Sequence, residues 1–490
     1  MPLFLIDCDT GELRYLSALA SYINELTPIY ALPAVPAGEV RLGTVEGMAT
    51  RMVQMIRSVQ PFGPYQIAGW SFGGILAYEI ATQLIGINQD VRFLGLIDTP
   101  YDPWISDSSK EPKEQLDDRK QLLYLSQTQT IGREDSMYSA QGIPIPVHLF
   151  ASEQSIKMNL TPRWNVPVPH EQLRTITIPG TCHSMLKSPN VQLLGDAISQ
   201  AIQNAFADST QLREKDYYPL VMLQAGSNSG KASLFCVPGA GDNVTRFIEL
   251  ADNLDKRWVI YGFQPRGLDG ALVPYSTVST ASQVYLSSIK EMCSKGQIHL
   301  LGHSFGGWVV FDMAQQLLKE GCQISSLIIL DSEAPDSQDT PIREYSRMEV
   351  IMHIIGAIEM DLERSLGISQ VDINLQDYSA QIEVLHNALV REGIMSRRSE
   401  PDTLYGPLRT FAMALRTRYI PNEIYHGAIQ LVLADDQRLD QAANQKKYQQ
   451  TVEEWKKWAP NVTHVKAPGN HMTLLKGKNL HELVKLLRFC

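Results

Sequence analysis

The sequence predicts two tandem α/β domains, each a mostly parallel sheet flanked by helices. With 490 residues, of which 44 % are hydrophobic and 20 % charged, the chain is long enough for two buried cores. Short apolar runs alternate with amphipathic stretches, which is the pattern of a strand–helix–strand fold. The same order of segments also occurs twice along the chain.

The repeat is clearest around two serines. The segment YQIAGWSFGGILAYEIATQLIG around Ser71 matches IHLLGHSFGGWVVFDMAQQLLKEG around Ser304 at an offset of 233. The strand ending near Asp98 matches that near Asp331 at the same offset, whereas the segments around His183 and His471 match at an offset of 288. The second copy therefore carries 55 more residues between its aspartate and its histidine than the first copy does.

The offsets also predict the domain boundaries. The first domain is expected at residues 1–206 and the second at 217–490, joined by the polar linker 207–216, which has no apolar periodicity. Helical lids are expected at about 101–143 and about 333–425. The lid of the second copy is the more apolar, with helical spacing at Met348, Ile351, Ile354 and Ile355 and at Leu408, Phe411, Ala412, Leu415 and Tyr419. The lid of the first copy is polar, with one weak helix near Gln115–Leu125.

The regular elements follow from uninterrupted apolar runs, as in a parallel sheet covered on both faces. Strands are predicted at Leu3–Ile6, Tyr65–Ala68, Phe93–Ile97, Leu234–Val237, Ile298–Leu301, Leu327–Leu330 and Gln430–Ala434. Helices are predicted at Ile75–Ile85 and Trp308–Leu318, ended by Gly86 and Gly321.

Composition excludes several classes of protein. A net charge of −10 argues against a nucleic-acid partner, and the six cysteines form no metal-binding pattern. The uncharged stretch from Ser58 to Tyr78 is broken by prolines and glycines, so no stable insertion into a membrane is expected. Asp7 and Asp9 argue against a signal peptide. A monomer in a bacterial cytoplasm, with no bound cofactor and no metal, is the expectation.

Each repeated serine lies in a Gly-x-Ser-x-Gly motif between an apolar strand and a helix. Such a turn exposes the serine hydroxyl at the top of the sheet and is typical of the nucleophile in α/β-hydrolases. Two matches in equivalent contexts indicate that Ser71 and Ser304 are nucleophiles. Both copies are therefore predicted to be α/β-hydrolase domains with a helical lid.

A serine needs a base, and in this fold the order along the chain is serine, acid, histidine. His183 and His471 are the late histidines that recur between the copies, each shortly after a Pro-Gly turn. No counterpart across the repeat exists for His148, His170, His353, His386, His426 and His464.

The acid that orients the imidazole is expected at Asp98 and Asp331, each 27 residues after its serine at the end of a strand. The second copy offers a competitor, because Asp435 and Asp436 follow a later strand, where many α/β-hydrolases keep their acid. The matching place in the first copy holds only Glu153.

The oxyanion formed during acyl transfer requires two backbone N–H groups. One should come from the residue after the nucleophile, Phe72 or Phe305, and the other from the loop after the first strand, at Thr10 or Ala240.

The two copies resemble the type I thioesterase domains that end nonribosomal peptide synthetases, in the tandem arrangement of lipopeptide and depsipeptide assembly lines. The resemblance rests on PLFLIDCDTGELRYL and LFCVPGAGDN, on GWSFGG and GHSFGG, and on PGTCHSML and PGNHMTLL. It implies an acyl-serine at Ser71 and Ser304, with the chain supplied by the 4′-phosphopantetheine arm of a peptidyl carrier domain. The family often has histidine where this chain has Asp7 and Val237. The chain also resembles a terminal fragment of a larger synthetase.

The expected function is release of a peptidyl or lipopeptidyl thioester by macrocyclisation or hydrolysis. Two alternatives stay open: a pair of editing thioesterases that clear mis-primed carriers, or one active domain with one idle docking domain. The short polar lid further suggests that the first site carries the main release and that the second is a broader or backup hydrolase.

Overall fold

In the computed structural model, the chain forms two compact units. The structure describes residues 1–7, 14–24, 26–33, 42–101, 138, 140–158, 164, 167–207, 217–227, 232–292, 297–374 and 378–489. One unit consists of Met1–Lys215 with Glu344–Met348 and Asn374–Gln381. The other consists of Asp216–Arg343, Glu349–Ile373 and Ile382–Cys490. The first unit thus takes in two short pieces of the segment in which the second lid was expected.

The first unit is built on a parallel sheet of six strands in the order β2-β1-β3-β4-β5-β6. These strands are β1 (Leu3–Ile6), β2 (Ile29–Leu32), β3 (Tyr65–Trp70), β4 (Val91–Ile97), β5 (Val147–Ser152) and β6 (Leu173–Ile178). The associated helices are α1 (Arg14–Ala20), α2 (Val45–Val59), α3 (Phe72–Gly86), α4 (Glu153–Lys157) and α5 (Asn190–Ala207). The central strand β3 lies between β1 and β4, so that its carboxyl end opens beside theirs.

The second unit has a sheet of seven strands in the order β13-β12-β11-β10-β8-β9-β7, of which only β7 runs antiparallel to its neighbour. The strands are β7 (Leu220–Gln224), β8 (Ala232–Val237), β9 (Val259–Phe263), β10 (Gln297–His303), β11 (Ile324–Leu330), β12 (Ile429–Asp435) and β13 (Val462–Pro468). Successive residues of β8 pack on opposite faces: Phe235 belongs to one buried cluster and Cys236 to the other. Both faces of this sheet are therefore covered.

Helices lie between these strands and after the last one. They are α6 (Ile248–Asn253), α7 (Val278–Met292), α8 (Phe305–Lys319), α9 (Arg347–Leu362), α10 (Gln370–Asn374), α11 (Tyr378–Arg391), α12 (Tyr405–Arg416), α13 (Gln441–Trp458) and α14 (Gly477–Leu486). Four of them, α9 to α12, fall between β11 and β12, where the sequence predicted helices of a lid.

The predicted fold class is confirmed, with two mostly parallel sheets flanked by helices. Strand β1 has the predicted bounds, and the other predicted strands and the helices after the two serines extend by one to three residues at one or both ends. The helical spacing predicted from Leu408 to Tyr419 holds only as far as Arg416, where α12 ends. The helix near Gln115–Leu125, most of the expected first lid and nearly all of the linker lie outside the described residues. Within the part of the chain that the structure describes, no helix is both long and apolar enough to cross a membrane.

Candidate active site

Both predicted nucleophiles lie on the same sharp turn between a strand and a helix. Ser71 has φ 53° and ψ −122°, and Ser304 has φ 54° and ψ −124°. A positive φ is unfavourable for a serine, so the surrounding structure must hold it. A Cβ added to Gly69 would lie 2.0 Å from the carbonyl oxygen of Gly73, which explains why the turn requires glycine there.

In the second copy, the three predicted residues form one hydrogen-bonded chain. His471 Nε2 lies 3.0 Å from Ser304 Oγ, and His471 Nδ1 lies 2.8 Å from Asp331 Oδ2. The three side chains come from the loops after β13, β10 and β11, whose carboxyl ends meet at one edge of the sheet. An imidazole with Nδ1–H held by a carboxylate presents its Nε2 lone pair to the serine hydroxyl, as a general base requires.

The carboxylate of Asp331 is fixed on its other side by the backbone. Its Oδ1 accepts a hydrogen bond of 3.0 Å from the N–H of Ala434, and its own N–H donates to the carbonyl oxygen of Val432 at 2.7 Å. Burial acts to raise the pKa of Asp331, but the hydrogen bond and charge of His471 outweigh it and lower that pKa below its usual value. Asp331 is therefore an anion at neutral pH.

The competing acids lie elsewhere. Asp435 is exposed, and Asp436 accepts hydrogen bonds from the guanidinium of Arg438, 2.5 Å away at the nearest atoms, and from its own loop. In the first copy, Glu153 is the exposed first residue of α4. The only carboxylate that hydrogen-bonds to His471 among the described residues is that of Asp331.

In the first copy, the structure does not join the three predicted residues. Among the described residues, no hydrogen bond links His183 to Asp98 or to Ser71; the exposed His183 instead has its Nδ1 3.0 Å from the Sγ of Cys182. Asp98 accepts hydrogen bonds from Ser152 and Ser155. Burial raises the pKa of Asp98 above its usual value.

The expected oxyanion residues of the second copy lie on either side of the nucleophile. Phe305 is the first residue of α8, so its N–H is not used by the helix. Gly239 approaches so closely that an added Cβ would lie 3.1 Å from the Cβ of Ser304, and Ala240 follows it. In the first copy, Phe72 begins α3 in the same way, whereas Thr10 lies outside the described residues.

Ala240 and Phe305 line one cavity beside Ser304. Most of its wall is apolar, and lid helix α12 contributes two of the residues. The remaining lining includes Pro238, Tyr285, Val309, Thr410 and Ala414. The cavity therefore lies next to the expected oxyanion position.

One contact of the active-site histidine was not anticipated from the sequence. His303, the last residue of β10, is buried, and its Nε2 donates a 2.9 Å hydrogen bond to the carbonyl oxygen of His471. Burial, followed by the charge of His471, lowers the pKa of His303 to about 3, so its ring is neutral. His303 therefore holds the backbone of the residue that carries the base. The sequence feature that could have indicated this contact is the difference between Gly-His-Ser in the second copy and Gly-Trp-Ser in the first. In the first copy, Trp70 packs edge-on against His183.

A second unanticipated set of contacts joins a lid helix to the histidine loop. Asp361 at the end of α9 lies 3.1 Å from Arg246 and 2.6 Å from Lys476. Arg246 also donates to the carbonyl oxygen of Met472, next to His471, at 3.1 Å. Asn470 donates to the carbonyl oxygen of Met360 at 3.0 Å. These bonds link the position of α9 to that of His471.

No group of three or more histidine, cysteine or acidic side chains within the described ranges is arranged to hold a metal ion. The site offers a serine hydroxyl, an imidazole within hydrogen-bonding distance of it and a buried carboxylate.

Comparison with known proteins places the chain in a family. The model of the thioesterase domain matches residues 2–149 and 232–489. The chain is 36 % identical over 112 residues to an atromentin synthetase of Tapinella panuoides, covering 22 % of this chain and 12 % of that protein. It is 32 % identical over 214 residues to the vanchrobactin synthetase VabF of Vibrio anguillarum, covering 42 % of this chain and 7 % of that protein. The chain thus spans only a small part of these relatives.

Parts of the chain are similar to solved structures. The holo form of AB3403, a four-domain nonribosomal peptide synthetase, is 17 % identical, with a TM-score of 0.49 over 63 % of this chain and 23 % of that one. The Vlm2 thioesterase domain is 24 % identical, with a TM-score of 0.40 over 55 % of this chain and 95 % of that one. Because the family model matches both copies, which together make up most of the sequence, the chain belongs to the thioesterase domain family, whose members hydrolyse thioesters.

Proposed function

We propose that this chain releases an acyl or peptidyl group from a carrier-bound thioester through an acyl-enzyme on Ser304. The observation that carries the proposal is the continuous hydrogen-bonded chain from Ser304 through His471 to Asp331. A buried carboxylate, an imidazole held in one tautomer and a hydroxyl within 3.0 Å of that imidazole are the parts that serine acyl transfer needs.

The chemistry follows from these positions. Ser304 Oγ attacks the thioester carbonyl while His471 Nε2 takes its proton, and the N–H groups of Ala240 and Phe305 stabilise the resulting oxyanion. The C–S bond then breaks, and His471 returns the proton to the leaving thiolate, which departs as a thiol. In the second half, a water molecule or a hydroxyl or amine of the substrate gives its proton to His471 and attacks the ester carbonyl. The bond between that carbon and Ser304 Oγ then breaks, and His471 returns the proton to Ser304 Oγ. Water yields a free acid, and an internal nucleophile yields a macrocycle.

The relatives indicate where such a thioester would come from. Several similar proteins are synthetases, among them the vanchrobactin synthetase VabF and an atromentin synthetase. We therefore propose that the partner is a peptidyl carrier domain, that the substrate arrives on its 4′-phosphopantetheine, and that release is macrocyclising. The enzyme itself would need neither a bound cofactor nor a metal, and the setting would be a bacterial cytoplasm. Editing of mis-primed carriers is the alternative activity of the same site.

We propose a different role for the first copy. The same functions were expected of Ser71, Asp98 and His183, with the main release at that site, but these residues are not joined by hydrogen bonds. This observation favours the second copy as the site of release and the first as a domain that does not form an acyl-enzyme. Our proposal therefore reverses the division of labour that the lids suggested.

The test uses the full chain and a pantetheinyl thioester of a linear peptide, with products identified by mass. Ser304→Ala should abolish both free acid and macrocycle, whereas Ser71→Ala, the matched control, should retain them. Free acid without macrocycle from a full-length peptide would support editing instead. Full turnover by Ser304→Ala would refute the assignment of Ser304.

A further inference from the structure

The loops that carry His183 and His471 adopt the same type of turn. Residues of the two loops can therefore be matched to one another by the hydrogen bonds that they make within their own turn. After β13, Asn470 N–H donates to Thr473 Oγ1 at 3.0 Å, and Thr473 N–H donates to Asn470 Oδ1 at 2.9 Å. After β6, Thr181 N–H donates to Ser184 Oγ at 2.7 Å, and Ser184 N–H donates to Thr181 Oγ1 at 3.1 Å. Thr181 thus corresponds to Asn470, and Ser184 to Thr473.

The backbone on both sides gives the same register. Met185 N–H donates to the carbonyl oxygen of Thr181 at 2.9 Å, as Leu474 N–H does to that of Asn470 at 3.1 Å. The glycine before each turn is also left-handed, with φ 96° at Gly180 and φ 102° at Gly469. All of these pairs are separated by 289 positions, one more than the offset that pairs His183 with His471.

This register places Cys182, not His183, at the position of His471. His183 corresponds to Met472, which follows the base in the second copy. In agreement, the ring of His183 is exposed and its Nδ1 contacts the Cys182 thiol, 3.0 Å away, instead of a carboxylate. The first copy therefore has a one-residue shift of its histidine relative to the turn.

The acid of the first copy shows the matching change. Asp98 Oδ1 accepts from the backbone N–H of Ser152 at 2.7 Å, as Asp331 Oδ1 does from that of Ala434 at 3.0 Å. The other oxygen, Oδ2, receives the imidazole in the second copy, but in Asp98 it accepts from the hydroxyl of Ser155 at 2.9 Å. Because the hydroxyl of Ser152 also donates to Asp98 Oδ2, at 3.2 Å, two serine hydroxyls bind the oxygen that receives the imidazole in the second copy.

We infer that the thiol of Cys182 holds the base position of the first copy, so that Ser71 forms no acyl-enzyme and the chain has a single thioesterase site. The inference rests on the proposed function of Ser304 as the active nucleophile. A thiol cannot replace the imidazole, because it must be a thiolate to accept a proton. Burial, together with the nearby Asp98, raises the pKa of Cys182, which keeps the sulfur protonated at neutral pH.

The experiment restores the register of the second copy. The double variant Cys182→His/His183→Met places an imidazole at the base position, and adding Ser155→Ala removes the shorter of the two serine hydrogen bonds to Asp98 Oδ2. The full chain is treated with a fluorophosphonate, and labelled serines are located by mass spectrometry of peptides. The wild type should label at Ser304 alone, and the triple variant should also label at Ser71, with a rate increase of about 10³-fold there.

The matched control Cys182→Ser/His183→Met/Ser155→Ala changes the same positions without supplying an imidazole, and it should label at Ser304 alone. Labelling at Ser304 in the same molecule shows that each variant remains folded in the second unit, and circular dichroism with protease resistance checks the first. Wild-type labelling at Ser71 that is lost in His183→Ala would overturn the inference, as would a folded triple variant that leaves Ser71 unlabelled. Absence of label at Ser304 in the wild type would contradict the proposed function instead.

Discussion

Replacing Asp331 with asparagine exchanges a carboxylate oxygen for an NH₂ group and leaves the size of the side chain unchanged. The N–H of Ala434 can bond only to an acceptor, so the amide oxygen must stay at the Oδ1 position. The NH₂ group then faces His471 Nδ1, 2.8 Å away, where the carboxylate oxygen was. His471 can accept that hydrogen bond only if its proton moves to Nε2.

A proton on Nε2 removes the lone pair that must accept the proton of Ser304. We therefore expect Asp331→Asn to lower kcat by ~10³–10⁴, equivalent to about 4–5.5 kcal/mol of transition-state stabilisation. KM should change little, because Asp331 is buried and its carboxylate hydrogen-bonds to protein groups.

The assay is hydrolysis of an acyl-pantetheine thioester in a Ser71→Ala background, which isolates Ser304. Asp436→Asn and Asp435→Asn are the matched controls from the later strand, and each should keep kcat within about threefold, since neither carboxylate hydrogen-bonds to His471. The assignment of Asp331 as the acid would be refuted if kcat fell less than tenfold in Asp331→Asn, or if Asp436→Asn lowered kcat equally.

Three further predictions concern the same unit. His303→Phe removes the hydrogen bond to the His471 carbonyl oxygen and should lower kcat by about tenfold, the equivalent of one hydrogen bond. His303→Gln can still donate to that oxygen and should recover most of the lost kcat. Equal losses of kcat in the two variants would exclude a positioning role for His303. Gly239→Ala places a Cβ 3.1 Å from Ser304 Cβ and should displace the oxyanion loop. The rate of fluorophosphonate labelling at Ser304 should fall by about 10², while the melting temperature stays unchanged. An unaltered labelling rate would contradict the placement of this loop beside Ser304. Burial lowers the pKa of His299 from 6.5 to about 4. Burial and the charge of His471 lower the pKa of His303 from 6.5 to about 3. Between these values and pH 6.5, both rings are therefore neutral in the folded chain but bind protons when it unfolds. The free energy of unfolding of the second unit should therefore fall as the pH drops from about 6.5 toward 4, and urea titrations of His299→Gln should show a shallower fall; an identical slope would argue against this origin.

The sequence alone determined the fold class and picked out the three residues of the candidate site in the second copy. Uninterrupted apolar runs specify buried parallel strands, and the glycines flanking Ser71 and Ser304 specify a turn that no larger residue could form. The recurrence of these features predicted two sheets of this type. In the second copy, the order serine, acid, histidine, together with the match between the two copies that favoured Asp331 over Asp435 and Asp436, selected three residues that the structure joins by hydrogen bonds.

Tertiary structure decided what spacing could not. The histidine is three residues after Gly180 in the first copy but two residues after Gly469 in the second, and the sequence does not say whether the loop absorbs the extra residue. The hydrogen bonds of the turn show that it does not, so that Cys182 takes the place of His471. The structure alone also shows three other contacts: the hydrogen bond from Ser155 to Asp98, the hydrogen bond from His303 to the His471 carbonyl oxygen and the ion pair between Asp361 and Arg246. Each of these contacts joins residues distant in sequence, and a hydrogen bond depends on the direction of a side chain within tenths of an ångström, which local pattern does not encode.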